Sequence, residues 1–318
     1  MKTIIVNDSD AGQRLDKYLK KTFSEAGSGF IYKMLRKKNI VLNGKKSDGT
    51  DIIHAGDEIK VFFSDETFEK MKGKSASTPK RSDIKYPEIP VVFENEDLIF
   101  FNKPAGILSI SDSKESFCVN TYLLNLMSKK DSGNYKPSVA NRLDRNTSGM
   151  ILCAKTYIGA RFLDECIKNH LMKKQYCAIC HGIIEKGGML KGYLHKDEKT
   201  NKVTVQEKPF DESEKSSYIE TGYEPVNHND KFTLLNVNLI TGKSHQIRAH
   251  FASINHPLAG DIKYGGKKFG GINTQLLHAH KVTFPERVET EENLFDGRFE
   301  DVLGKTFTAE PPGYFKLT

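Results

Sequence analysis

The segment Asn141-Arg-Leu-Asp-Arg-Asn-Thr-Ser-Gly149 sets one carboxylate, Asp144, between two arginines, and runs on into the apolar stretch Met150 to Ala154. A polar loop ahead of a buried strand is how a scaffold presents a reactive group. Asp144, flanked by Arg142 and Arg145, is expected to stay ionised at neutral pH, as an attacking carboxylate must. The same residues also describe a surface turn with an ion pair, and composition alone leaves both readings open. A second polar cluster, Leu239 to His250, reads as a strand, a turn at Gly242 and a helix beginning near Ser244. Arg248 then lies in the first turns of a helix, where a cation is unfavourable unless an anion compensates it.

Other constellations point to less. Cys177-Ala-Ile-Cys180-His181 has the spacing of a haem-attachment motif. It falls in an alternating apolar run, however, where residues three apart lie on opposite faces of a strand. No second Cys-x-x-Cys completes a zinc site, and the five cysteines read as reduced thiols. His245 and His250 are five apart, about 140° around a helix, so they cannot chelate as an i, i+4 pair does. The stretch Gly265 to Gly271 carries lysines without a following Ser or Thr, which reads as a flexible loop and not a nucleotide-binding loop.

The elements that must position these residues follow from periodicity. Leu15, Tyr18, Leu19 and Phe23 have helical spacing, as do Ile31, Met34 and Leu35. Ile40 to Asn43 and Glu58 to Phe63 read as strands, with a tight turn at Asn43-Gly44. Asp65 to Tyr86, rich in Lys, Ser, Gly and Pro, reads as an exposed basic linker with few contacts across it. Beyond it come short strands at Pro90 to Phe93, Leu98 to Asn102, Met150 to Ala154, Gln175 to Ile184, Val203 to Gln206, Phe232 to Ile240 and Leu277 to Phe284. Helices are expected at Tyr157 to Leu171 and Ser244 to Ile254. Many strands and few helices indicate an α+β sheet domain. Glu286 to Asp301, with 7 acidic and 2 basic residues, reads as a solvated surface segment.

A length of 318 residues accommodates about two domains. Hydrophobic residues at 37% and charged residues at 28% are too polar for a membrane protein and too apolar for a disordered one. No run approaches the roughly 18 apolar residues of a membrane span, and the N-terminus lacks a signal-peptide core, so a cytoplasmic protein is expected. The net charge of +7 is unevenly spread. Residues 1–63 hold 12 Lys+Arg against 8 Asp+Glu, residues 64–86 hold 6 against 4, and the remainder 30 against 29. A basic appendage on a nearly neutral body suggests a polyanionic partner.

Four motifs, in order, resemble those of the ribosomal large-subunit pseudouridine synthases that carry an N-terminal RNA-binding module. Phe101-Asn-Lys-Pro-Ala-Gly106 is similar to the family's entry strand, and Asn141 to Gly149 to its catalytic loop. Lys173-Lys-Gln-Tyr-Cys-Ala178 is similar to its Lys-x-Tyr-x-Ala strand. Thr241 to His250 is similar to its Thr-Gly-Arg-x-His-Gln-Ile-Arg-x-His motif, continued by His256-Pro, Gly260-Asp and Lys263-Tyr-Gly265. Residues 1–63 resemble the alpha-L RNA-binding module of a small-subunit ribosomal protein through Arg14-Leu-Asp-Lys-Tyr-Leu19, Val41-Leu-Asn-Gly-Lys45 and Gly56-Asp57.

The resemblance implies a mixed or antiparallel sheet catalytic domain over residues 87–318, behind a small α+β RNA-binding domain over 1–63 and a linker over 64–86. It implies that uridines of large-subunit ribosomal RNA are converted to pseudouridine by Asp144, without cofactor or metal. Tyr176 would stack on the target base, Arg248 would hold the aspartate, Arg142 would help extrude the uridine, and Lys103 joins the supporting residues. A monomer acting on ribosomal RNA, away from membranes, is expected. Asn141 and Lys243 depart from the family's usual His and Arg. A glycoside hydrolase would need a second carboxylate opposite the first, and the catalytic loop supplies only Asp144. The alternative from another class is a non-catalytic RNA-binding or ribosome-assembly factor on the same fold.

Overall fold

The computed structural model describes residues 1–72, 87–111, 117–128, 133–211, 215–290, 294–295 and 297–317. The N-terminal module contains β1 (Lys2–Ile5), α1 (Leu15–Thr22), α2 (Ser28–Arg36), β2 (Ile40–Leu42), β3 (Glu58–Val61) and α3 (Asp65–Lys72). Its three strands pair antiparallel in the order β1-β3-β2. Leu15, Tyr18, Leu19, Ile31 and Leu35 bury the apolar faces of α1 and α2 against Ile40, Ile59 and Val61. Asn43 and Gly44 both have positive φ, 49° and 73°, as a two-residue hairpin turn of this hand requires.

The expected linker begins inside a helix. Phe68 of α3 is buried edge-on against Phe23, with ring centroids 5.4 Å apart, so α3 belongs to the module's core. One aromatic and one methionine among six charged or polar residues leave too weak a periodicity to register in the sequence. The remainder of the expected linker, residues 73–86, lies outside the described residues.

The body contains β4 (Val91–Glu94), β5 (Leu98–Lys103), α4 (Val119–Met127), β6 (Ser138–Val139), β7 (Ser148–Ala154), α5 (Tyr157–Lys168) and β8 (Lys173–His181). It continues with β9 (Gly188–Asp197), β10 (Lys202–Gln206), β11 (Ser216–His228), β12 (Phe232–Leu239), α6 (Gln246–Ser253), β13 (Leu277–Thr283) and β14 (Thr306–Thr308). These form one mixed sheet in the order β10-β9-β11-β12-β8-β13-β7-β5-β4, with β14 on β13 and β6 on β7. Among the described strand pairs only β13 and β7 run parallel. β7 is buried along its whole length because it is covered on both faces. Met150, Leu152 and Ala154 face Phe162 and Leu163 of α5, whereas Ile151 and Cys153 face Val119 and Leu123 of α4.

The acidic segment is not a solvated appendage. Phe295, Phe299 and Val302 are buried in the main core, and Phe299 stacks on Phe162 at 4.0 Å between centroids. Arg298 donates from Nε and Nη2 to the two oxygens of Asp97. The module also rests on the body. Asp10, itself buried, accepts from the backbone N–H of Asn134, whose side chain donates to Thr22 Oγ1. Lys21 Nζ lies 5.2 Å from the centre of the Tyr157 ring. Among the described residues no helix is long and apolar enough to cross a membrane.

Candidate active site

The parallel seam between β7 and β13 sets the loop that carries Asp144. At Gly149, φ is 109° and a Cβ would fall 2.2 Å from the carbonyl oxygen of Ala279, so only glycine lets the two backbones meet. Ser148 Oγ bonds His278 Nδ1 at 2.8 Å, and His278 Nε2 donates to Ala309 O at 2.9 Å. Burial drops the His278 pKa to about 4, which keeps this buried imidazole neutral. Gln275 Nε2 donates to Thr147 Oγ1, and Thr147 N–H turns back to Asp144 O. The Thr-Ser-Gly triplet therefore anchors the loop.

The loop's other side is strapped by the segment after β5. Lys103, fully buried, donates from Nζ to the carbonyls of Pro104, Ile107 and Arg145 at 3.0, 2.8 and 3.1 Å. Burial lowers its pKa to about 8, against the opposing pull of Asp144's charge. Ser109 Oγ donates to Leu143 O and accepts from Leu143 N–H. Asn141 Oδ1 accepts from Leu152 N–H of β7, so the residue that departs from the family pattern is occupied in holding backbone. Lys243, the other departure, is exposed.

Arg248 is the organising cation. Its Nη1 donates to Asp144 Oδ2 at 3.0 Å, while Nε and Nη2 form a two-point pair with Asp261 at 2.7 and 2.9 Å. Its guanidinium carbon lies 4.9 Å from the centre of the Tyr264 ring. The anions that a cation near a helix start requires are thus present, one 13 and the other 104 residues away in sequence. Although burial acts against it, bonding to Asp261 and the charge of Asp144 raise the Arg248 pKa. Arg142 and Arg145, expected beside the carboxylate, are exposed and neither bonds Asp144; Arg248 takes that role.

Asp144 has a side chain 27% exposed, and its Oδ1 accepts no hydrogen bond from the described residues. One oxygen is held and the other is open. Tyr176 on β8 lies in register with Ala279 of β13 and Val237 of β12 and is buried. Burial, with the nearby charge of Asp144, pushes its hydroxyl pKa upward, so it remains a neutral phenol. Asp144, Tyr176, Arg248 and Lys103 therefore converge, while Arg142 stands at the exposed rim.

Three members lie in motifs quoted from the sequence but had no role in the site assigned to them: Asp261, His245 and Tyr264. Asp261 is a lone buried acid 13 residues beyond Arg248, and a buried charge of that kind requires a partner. His245 bonds Tyr264 through Nδ1, whereas His250 turns to Thr221, so the two histidines do not share a ligand. Cys177 and Cys180 pack into cores on opposite faces of the sheet. The Gly265 to Gly271 loop is tied down by Gly260 N–H to Lys267 O and by Lys267 N–H to His181 Nε2.

Residues 97–253 match the family model for RNA pseudouridylate synthase. The chain is 31% identical over 321 residues to the ribosomal large subunit pseudouridine synthase C of Pasteurella multocida, covering 96% of this chain and 93% of that one. It is 30% identical over 300 residues to an uncharacterized RNA pseudouridine synthase of Mycoplasma genitalium, covering 91% and 90%. Among solved structures, human RNA pseudouridylate synthase domain containing 4 shares the fold, with a TM-score of 0.56 at 18% identity, covering 71% of this chain and 90% of that one.

Proposed function

The chain belongs to the RNA pseudouridylate synthase family, and from that premise we propose that it isomerises uridines of large-subunit ribosomal RNA to pseudouridine, with Asp144 as the reacting carboxylate. The observation that carries this reading is the half-engaged Asp144: Oδ2 is fixed by Arg248 and Oδ1 is open. The C1′–N1 bond breaks, the C1′–C5 bond forms, and the proton lost at C5 balances the one gained at N1. No co-reactant enters, so a single carboxylate suffices where hydrolysis would need a second. Asp261 does not supply one, because both its oxygens are committed to Arg248.

Tyr176 serves as the stacking surface for the extruded base, and Arg142 at the rim contacts the RNA that the uridine leaves. Lys103 supports the loop from beneath. The N-terminal module, with exposed Lys17, Lys33, Arg36, Lys37, Lys38, Lys45 and Lys46, binds phosphates. These roles define an RNA-binding unit extended by α3 to residue 72 and a catalytic unit from residue 87. We infer a monomeric enzyme that meets its ribosomal RNA in the cytoplasm.

Asp144→Asn is expected to abolish tritium release from [5-³H]uridine-labelled ribosomal RNA, with RNA affinity changed by less than about threefold because phosphate contacts dominate it. Retained tritium release would refute the assignment. Equal RNA binding by a wild-type protein that releases no tritium would instead favour the non-catalytic RNA-binding reading.

A further inference from the structure

His245 adopts a left-handed backbone, φ 57° and ψ 12°, immediately before α6. A side chain held there against its preference reports constraint by its surroundings. Its Nδ1 lies 2.8 Å from Tyr264 Oη, and that hydroxyl also receives the backbone N–H of Val203, on β10, at 3.1 Å. Its Nε2 faces Asp144 Oδ2 at 3.8 Å. The hydrogen positions follow from these three contacts. Because Val203 N–H already points at the Tyr264 oxygen, the hydroxyl proton is available to Nδ1, which leaves the proton of a neutral imidazole on Nε2. The opposite tautomer would waste the tyrosine proton and turn an Nε2 lone pair toward a carboxylate. Burial lowers the His245 pKa, with Arg248 and Lys263 acting in the same direction and Asp144 and Asp261 against it. Tyr264, beneath Arg248 and beside Lys202, is kept neutral by burial.

We propose that His245 and Tyr264 are positioning residues: Tyr264 fixes His245 as the Nε2–H tautomer, which, with Arg248, commits Asp144 Oδ2 to the protein and leaves Oδ1 to the substrate. This rests on Asp144 as the reacting carboxylate. It also makes β10, through Val203, part of the apparatus that aims the carboxylate.

Three measurements on the full chain test it. The ¹⁵N signals of His245 should report the Nε2–H tautomer from pH 7 to 8.5, and an Nδ1–H pattern would overturn the proposal. Tyr264→Phe keeps the ring under Arg248 but frees the tautomer. It should slow single-turnover pseudouridine formation about tenfold, the effect of one misplaced hydrogen bond, with RNA affinity unchanged. It should also move the acid limb of the pH–rate profile to higher pH, because Nδ1 no longer receives the tyrosine proton, the imidazole protonates more readily, and the positive ring 3.8 Å from Asp144 Oδ2 makes the carboxylate less reactive toward the substrate. A rate fall with an unshifted limb would mark a packing role only and reject the proposal. His245→Gln, which retains a donor, should keep most of the rate that His245→Leu loses, and equal losses at matched melting temperature would also reject it. Loss of tritium release in Asp144→Asn, alongside full activity in both Tyr264→Phe and His245→Leu, would defeat this inference alone.

Discussion

The site holds one oxygen of Asp144 and leaves the other open. Arg248 is shared between two carboxylates, and the two-point pair with Asp261 sets the direction in which it meets Asp144. Lys103 does the same for the loop backbone, and its burial has a measurable consequence. In the unfolded chain this lysine titrates at its ordinary 10.5, and in the folded protein at about 8. Between those values the unfolded state holds the extra proton, so the contribution of Lys103 to stability rises with pH across that window. The unfolding free energy of wild type relative to Lys103→Met should therefore grow by roughly 3 kcal/mol from pH 8 to 10.5, measured by urea denaturation, and a flat difference would contradict the buried charge. Asp144 and Arg248 were legible in the sequence because each sits in a dense polar motif. Their pairing came only from the family motifs, since 104 residues separate them and composition alone pointed to the nearer arginines. His245 looked like a failed metal ligand for the same reason: its partner Tyr264 is brought to it only by the fold.

Among the elements, strands were legible where runs of apolar residues dominate, as in β5, β7 and β8. β9 and β11 were missed because Gly192 and Thr221 interrupt their buried faces while Lys191 and Glu220 occupy the outer ones. α4 was missed because its start lacks an ordinary oxygen cap. Cys118 Sγ accepts from Thr121 N–H, and Thr121 Oγ1 accepts from Cys118 N–H, a reciprocal cap built with sulfur. The acidic segment misled because charge was counted without spacing: Phe295, Phe299 and Val302 recur at intervals of four and three, an inward face. Phe299→Ala should accordingly cost about 3–5 kcal/mol of stability. A loss below about 1 kcal/mol in urea titrations would mean the stacking on Phe162 does not hold in solution.

For the whole molecule, the charge asymmetry in the sequence sets a basic front against a nearly neutral body, and contacts join the two where few were expected. Gly12 lies against Ile158, a Cβ on Gly133 would strike Asp10, and Asn134 bonds both Asp10 and Thr22. Deleting residues 1–72 should weaken ribosomal RNA binding and flatten the slope of log affinity against log salt, because each lost phosphate contact removes close to one unit of slope. An unchanged slope would locate the RNA-binding charge elsewhere. The deletion should also lower the melting temperature of the remaining body, since it exposes Ile158, which is buried in the intact chain. The parallel seam carries a last consequence, in time. Ser148 meets His278 across 130 residues of intervening chain, and at roughly 5–20 residues per second of synthesis that is on the order of ten seconds. Throughout that interval Asp144 exists as covalent chain without the strand that braces its loop, so the geometry around the carboxylate cannot be assembled until β13 has been made.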